Sequence, residues 1–423
     1  MIHYLKNKFF SVYARIISSI AFYPTVIAFG FIVLAATLLA IEDDKMTSFL
    51  IENLPFLVID NAETARSVLS TLISGIISLT VFSFSMVMVL LNQASSNYSP
   101  RLLPGLISDK RNQIVLGFYI GTIIYNIIVL ISILPSGNEY TLNGFSILFG
   151  IVLGIVCLGL FVFFIHAISS SIQINNILDE IYRKTKTRLH QLIEMDRMES
   201  EDERDDSEWK IINTKKVGYF QDVNVDALKD LIEKHKIHIK ILAFRGTYLQ
   251  LNAPLFKISE TIEEEAKNEL LECVIISNTI SITNNYVLGI KQITEVALKS
   301  MSPAINDPGT AIITVDYMTE LLALRMRTRD REVYKTENDY TVELTTIDFE
   351  DLIYQVMVAY RQYCKHDITM MEKLILMITY LINQPCDIDN YRFKLQEQLD
   401  ILKTDVVQNI DNPADKVKLY NLM

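Results

Sequence analysis

Between Val68 and Leu91 the chain runs for 24 residues without a charge. That is enough helix to cross the apolar core of a bilayer, which takes roughly 20 residues. The stretch is unusually polar for a span, and its polar residues are ordered. Ser67, Thr71, Ser74, Ser78, Ser85, Asn92 and Ser96 are separated by 4, 3, 4, 7, 7 and 4 positions. At about 100° per residue they fall within about 40° of one line down a helix. Such a face turns to protein or water rather than to lipid.

Charge divides the chain. Residues 1–168 hold 8 of the 39 Lys and Arg and 8 of the 50 Asp and Glu, so the net charge of −11 belongs to residues 169–423. This describes a membrane domain followed by an acidic domain long enough for one or two compact units. The acidic balance argues against nucleic acid as a partner and against general adhesion to anionic lipid. Cys157, Cys273, Cys364 and Cys386 have no CxxC spacing, so they predict reduced core thiols without a disulfide frame or a zinc site.

Three further apolar runs, Phe22–Ile41, Ile114–Leu134 and Phe145–Ile165, bring the expected spans to four. No small-residue cleavage site follows the first, which is therefore expected to be a retained anchor. Segments 1–20, 93–112 and 169–188 carry three, three and four basic residues, whereas loops 42–67 and 135–144 carry two and none. This bias places both termini of a multi-pass protein in the cytoplasm. Glu42, Asp43, Asp44, Glu52, Asp60 and Glu63 then form an acidic outer surface, and Asp60-x-x-Glu63 predicts a capping box for the second span. The third and fourth spans contain GxxxG pairs, Gly117/Gly121 and Gly150/Gly154, which permit close helix packing.

Beyond the spans, Ile174, Ile177, Leu178, Ile181, Leu189, Leu192 and Ile193 mark an amphipathic helical stalk, followed by an acidic linker. Alternating segments from Val217 to Ile282 predict a small α/β unit, with a helix over Val225–His235. Helices are expected at about 286–301, 308–327, 348–365, 368–383 and 390–410, with a hairpin at Asn338-Asp339. The expected fold is a mainly α membrane protein with four transmembrane helices, a cytoplasmic helical stalk, a small α/β unit and a C-terminal helical region. Its boundaries are 1–168, 169–215, 216–283 and 284–423.

Two blocks are distinctive: LLNQASSNYSPRLL at the end of the second span and SPAINDPGTA at 302–311. With GYFQDVNVDAL from Gly218 between them, the chain resembles the DUF2254 family of predicted bacterial membrane proteins over essentially its whole length. The resemblance implies an integral membrane protein with a cytoplasmic domain and brings no established activity or catalytic residue. Where that family usually carries an Arg-Thr…Asp stretch before the SPAINDP block, this chain has Asn278-Thr279-Ile280-Ser281.

Thr71, Ser74, Ser78, Ser85, Asn92, Gln93 and Ser96 are candidates to line a pore between several copies of the chain. Hydroxyls also suit packing against a GxxxG helix, and only the amides at the inner end are hard to explain that way. No Asp, Glu, Lys or Arg lies within a span, which lowers ion-coupled transport relative to a passive conduit. In the SPAINDP block, Asp307 and Pro308 predict a helix start. Ser302, Asn306, Asp307, Gly309 and Thr310 are candidates for a ligand loop, or for a rigid corner between helices. Arg325, Arg327, Arg329 and Arg331 are expected to spread around a helix surface into solvent. No Walker loop, dinucleotide fingerprint, HExxH or nucleophile elbow is present, so no catalytic residue, metal or cofactor is expected. The expected partners are membrane lipids and further copies of the chain. Two functions follow: an oligomeric channel-like conduit for ions or small solutes, regulated by its cytoplasmic domain, or a membrane-anchored sensor or scaffold.

Overall fold

A computed structural model describes residues 21–42, 59, 61–97, 110–133, 135–136, 139–140, 143–171, 173–197, 204–277, 284–386 and 388–423. The chain forms two compact units, Met1–Gln173 and Ile174–Met423.

The first unit contains α1 (Phe22–Ile41), α2 (Ala62–Asn97), α3 (Lys110–Ser132) and α4 (Gly144–Ser171), with two-residue strands β1 (Pro135–Ser136) and β2 (Glu139–Tyr140) between α3 and α4. All four helices are long and apolar enough to cross a membrane. In hydrocarbon, only a helix or a closed barrel satisfies its own backbone, so uncharged runs of this length fold as helices. The start of α2 is capped by Asn61, whose side-chain oxygen accepts from Glu63 N at 2.8 Å and Thr64 N at 3.2 Å. The expected cap, Asp60, lies outside the described residues. At about 1.5 Å per residue, α2 is roughly 54 Å long, more than a hydrocarbon core requires.

Glu42, expected on an acidic outer surface, turns inward instead. Its carboxylate accepts from Phe145 N at 2.7 Å, Ser146 N at 3.2 Å and Ser146 Oγ at 2.5 Å. A carboxylate there satisfies free amides and complements the positive end of the α4 dipole. Tyr125 Oη donates to the Ser146 carbonyl at 3.0 Å, and an Arg66 guanidinium nitrogen donates to the Ile133 carbonyl. Two apolar clusters fill the bundle. Leu69, Tyr125, Val129 and Ile147 belong to one, and Ile76, Val115, Tyr119, Cys157 and Phe164 to the other.

The second unit begins with α5 (Ile174–Arg197). Next come β3 (Lys210–Asn213), β4 (Gly218–Val223), α6 (Val225–His235), β5 (Ile239–Ile241), β6 (Tyr248–Leu249), β7 (Pro254–Ile258), α7 (Glu264–Glu272) and β8 (Val274–Ser277). The chain continues through α8 (Tyr286–Ser300), α9 (Pro308–Arg325), β9 (Arg331–Lys335), β10 (Thr341–Thr345), α10 (Phe349–Cys364), α11 (Ile368–Ile382), α12 (Asp389–Asn409) and α13 (Pro413–Tyr420). The strands make two sheets, β3-β7-β5-β10-β9 and β6-β4-β8. Among the described strands only β10 and β5 pair in parallel. Strand β3 lies in the stretch read from sequence as linker, and β10 closes onto β5 from about 100 residues downstream (Val342 opposite Ile239), so the α/β unit draws strands from beyond its sequence segment.

The stalk helix α5 is a wall of this unit. Leu178 and Leu189 are fully buried, as are most residues of its apolar stripe; each such leucine contributes about 1.5–3 kcal/mol. It lies against α8 and α9. Tyr182 stacks on Tyr317 at 4.4 Å, and Lys186 pairs with Glu320 at 2.5 Å. Successive helices then alternate in direction. The contacts Tyr286–Arg325, Thr314–Tyr360, Asp316–Lys373 and Arg361–Asp405 fix the register of the bundle. Helix α8, buried on nearly all sides, is its centre. The four cysteines are free thiols.

At the α5–α8 crossing Gly289 lies against Thr185, so that a Cβ there would fall inside contact distance of the threonine hydroxyl. Gly289→Val should therefore destabilise the unit by about 1–3 kcal/mol, read as a lower midpoint in thermal or denaturant unfolding of the full chain in detergent, and Thr185→Ala should partly restore it. An unchanged midpoint would show that the crossing is not this close.

Candidate functional site

The polar stripe of α2 faces away from the protein's own bundle. Ser67, Thr71, Ser74, Ser78, Ser85 and Asn92 are all exposed in the single chain, whereas Ala62, Ala65, Leu69, Ile76 and Ser83 are buried. At about 100° per residue the buried set centres roughly 180° from the stripe. The hydroxyls are satisfied by their own helix: Thr71 donates to the Ser67 carbonyl at 2.8 Å, Ser78 to Ser74 at 2.9 Å and Ser85 to Val81 at 2.9 Å. This bonding lets a hydroxyl face an apolar or a wet environment at little cost. The face is not uniformly polar. Val81, Met88 and Val89, exposed by 61%, 54% and 62%, flank Ser85 on the same side. The backbone of Gln93 and Ser96 is helical; their side chains lie outside the described set.

The GxxxG glycines meet other surfaces. The nearest atoms to Gly117 belong to Ile27 and Pro24 of α1, and those to Gly121 belong to Phe31. Gly150 lies against Asn126 and Tyr125, and Gly154 against Leu72 on the inward side of α2. None of these neighbours belongs to the stripe.

The SPAINDP block forms the corner between α8 and α9. Asp307 Oδ1 accepts from Thr310 N at 3.1 Å and its Oδ2 from Thr310 Oγ1 at 2.5 Å. Asp307 N donates to the Ser300 carbonyl at 2.8 Å, and Ser302 Oγ donates to the Lys299 carbonyl at 2.6 Å. Asn306 takes the left-handed conformation, φ +48°, which amides tolerate well. Residues 303–309 are exposed, including Gly309. Because α9 runs beside α5 in the same direction, the corner lies at the end where the chain enters the second unit.

Sequence reasoning did not find the buried charges of this unit. Glu332 on β9 is 2% exposed and sits between two guanidinium groups. Arg188 of α5 reaches its Oε2 at 2.8 Å and Arg245 its Oε1 at 2.6 Å. Arg245 also holds Asp222 Oδ1 at 2.8 Å, whose other oxygen accepts from Asn284 at 2.6 Å. Burial opposes the charge on Arg245, but Glu332 and Asp222 together hold its pKa above the ordinary arginine value. A signal was available: Arg188 continues the apolar stripe of Ile181, Thr185 and Leu192, and a charge on a buried face requires a buried partner. Arg325, expected in solvent, is fully buried. It donates to Tyr286 Oη at 2.9 Å and the Ile347 carbonyl at 2.9 Å, and pairs with Asp330. Spacing could not distinguish it from Arg327, which is exposed.

Beside this node lies a cleft of about 810 Å³ at the ends of α5, α9 and α11, lined by Ile193, Asp196, Leu324, Arg327, Arg329, Tyr380 and Cys386 among others. Burial pushes the Asp196 carboxyl up, although Arg329 N donates to it at 2.9 Å. Among the described residues, no three His, Cys, Asp or Glu side chains are grouped to hold a metal.

Four apolar spans followed by a packed α/β and helical unit define an integral membrane protein with a large second domain. The model of the family described as "Predicted membrane protein (DUF2254)" matches residues 17–380, and the chain belongs to this family. Uncharacterized proteins of Mycobacterium bovis and Mycobacterium tuberculosis are each 26% identical over 270 residues, covering 60% of this chain and 51% of the relative. The chain thus spans about half the length of the curated relatives it matches. No solved structure matches it.

Two outcomes follow for the second unit. Glu332→Leu leaves Arg188 and Arg245 buried without their shared acid and should cost about 3–5 kcal/mol, measured by denaturant unfolding; a loss below about 1 kcal/mol would place the network in solvent. His238 stacks against Trp209 and accepts from Thr341 N at 3.2 Å. Burial and then the Arg204 charge lower its pKa from the ordinary 6.5. Its contribution to stability is therefore full above about pH 6.5 and lost as pH falls through the lower folded value. Melting of His238→Gln between pH 7.5 and 5.5 should fall less steeply than that of the wild type, a comparison made on the same detergent-solubilised chain.

Proposed function

We propose that the protein is a homo-oligomeric, channel-like conduit of the bacterial inner membrane, with both termini in the cytoplasm. The outward face of α2 lines a path for ions or small solutes between copies, among membrane lipids and without a nucleic-acid partner. The observation carrying this reading is the opposition of the two faces of α2. One packs into the protomer's own bundle, and the other presents an ordered hydroxyl line that no helix among the described residues covers. The Lys and Arg bias of the sequence supports the orientation. The uncharged spans suit a passive path better than a coupled transporter. Regulation would come from the second unit, which starts at Ile174, three residues after α4 ends.

The cleft beside Tyr380 and Arg327 favours a second reading, a membrane-anchored sensor that binds a small molecule in its second unit. The two readings separate on flux. In liposomes holding the purified protein, Ser78→Leu and Ser85→Leu should abolish ion or solute flux while the oligomer stays intact by size. Flux equal to the wild type's in both variants rejects the path along α2, and no flux from the wild type under any condition leaves the sensor.

A further inference from the structure

Inside the first unit, polar groups from three helices converge where its two apolar clusters meet. Ser83 of α2 is 3% exposed, although it lies on the face that packs inward. Tyr119, Thr122 and Asn126 share one side of α3, and all are fully buried. Cys157 of α4 closes the group, its thiol donating to Thr122 Oγ1 at 3.4 Å. The Tyr119 hydroxyl lies beside Ser83 and near Cys157. Yet Ser83 Oγ and Tyr119 Oη have no hydrogen-bond partner among the described residues, and neither has Asn126 Oδ1.

The three atoms differ in what surrounds them. Asn126 Oδ1 rests on the backbone of Gly150, where a Cβ would overlap it, and its amide nitrogen donates to the Thr122 carbonyl at 2.9 Å. A Cα–H contact can serve that oxygen. The hydroxyls of Ser83 and Tyr119 lie side by side, yet neither completes a hydrogen bond of normal geometry. In hydrocarbon an unmade hydrogen bond is expensive, and no bulk solvent reaches this depth to make it. A bound water is stable where two to four polar groups surround it. Ser83 Oγ, Tyr119 Oη, Thr122 Oγ1 and Cys157 Sγ supply four, in both donor and acceptor roles.

We propose that each protomer holds a water site within its four-helix bundle, built by Ser83, Tyr119, Thr122 and Cys157. It is separate from the outward stripe of α2 and does not depend on oligomer formation. Tyr119 and Cys157 belong to the same apolar cluster as Val115 and Phe164. All four side chains are buried from solvent in the single chain.

Hydroxyl radicals generated by brief X-ray irradiation label side chains that touch water, so the site can be read on the intact protein in detergent or nanodiscs. Tyr125 is the internal control: it is as buried as Tyr119, but its hydroxyl is bonded to Ser146. Tyr119 should be labelled several-fold faster than Tyr125, and both Ser83→Ala and Thr122→Val should reduce the Tyr119 rate towards that of Tyr125. Equal slow labelling of the two tyrosines in the wild type would overturn the proposal in favour of a dry, direct Tyr119–Ser83 bond. Fast Tyr119 labelling that neither variant changes would also overturn it, by placing the water elsewhere. The wild-type comparison needs no variant to fold.

Discussion

Glu332 is the group on which the second unit is assembled. One carboxylate, almost without solvent, joins a guanidinium from α5 to one from the turn after β5, and Arg245 passes the contact on to Asp222 of the smaller sheet. An isolated charge at this depth would be strongly unfavourable, so a packing of the two sheets and α5 that separates these groups is penalised. The Arg325–Asp330 node does the same at the junction of α9, α10 and α12. Asp330 Oδ1 accepts from Phe349 N at 3.1 Å and from Tyr391 Oη at 2.8 Å. Apolar burial supplies most of the favourable free energy of the unit, while these charges restrict which packing satisfies them.

The first unit solves a different problem. Without water around its spans, polar atoms must be met within the protein, and two helix starts are capped by side chains: Asn61 caps α2, and Glu42 caps α4. Close packing comes from glycines, with α1 lying on Gly117 and Gly121 of α3. Helix α2 carries polar residues on both sides, with Ser83 buried on the inward face and a line of hydroxyls facing out.

Much of this was legible in the sequence. Four uncharged runs gave four spans because a charge in hydrocarbon is too costly to leave there, and the helix Val225–His235 has the limits that its periodicity predicts. Asp307 caps α9 as its place before Pro308 predicts, and Asp367 caps α11 in the same way, because a short acidic side chain before an apolar helix has few better uses. The stripe of α2 could be read as a line but not assigned a neighbour, since periodicity gives relative angles and no absolute direction. The hairpin at Asn338-Asp339 joins β9 to β10 as predicted, but strand β3, the pairing of β10 with β5 and the cleft escaped for another reason. Their partners lie far off in sequence, and Val342 pairs with Ile239 across about 100 residues.

The sequence by itself determined the membrane class, the span count, the helix limits and the polar line, because hydropathy, periodicity and capping are local properties. Only the tertiary structure decided that the stripe faces away from its own bundle, that Glu42 turns in to cap α4, and that the stalk is a wall of the second unit. It also buried Arg325 while leaving Arg327 in solvent. Each of these depends on which surface lies opposite a residue, and that is set by packing between segments distant along the chain.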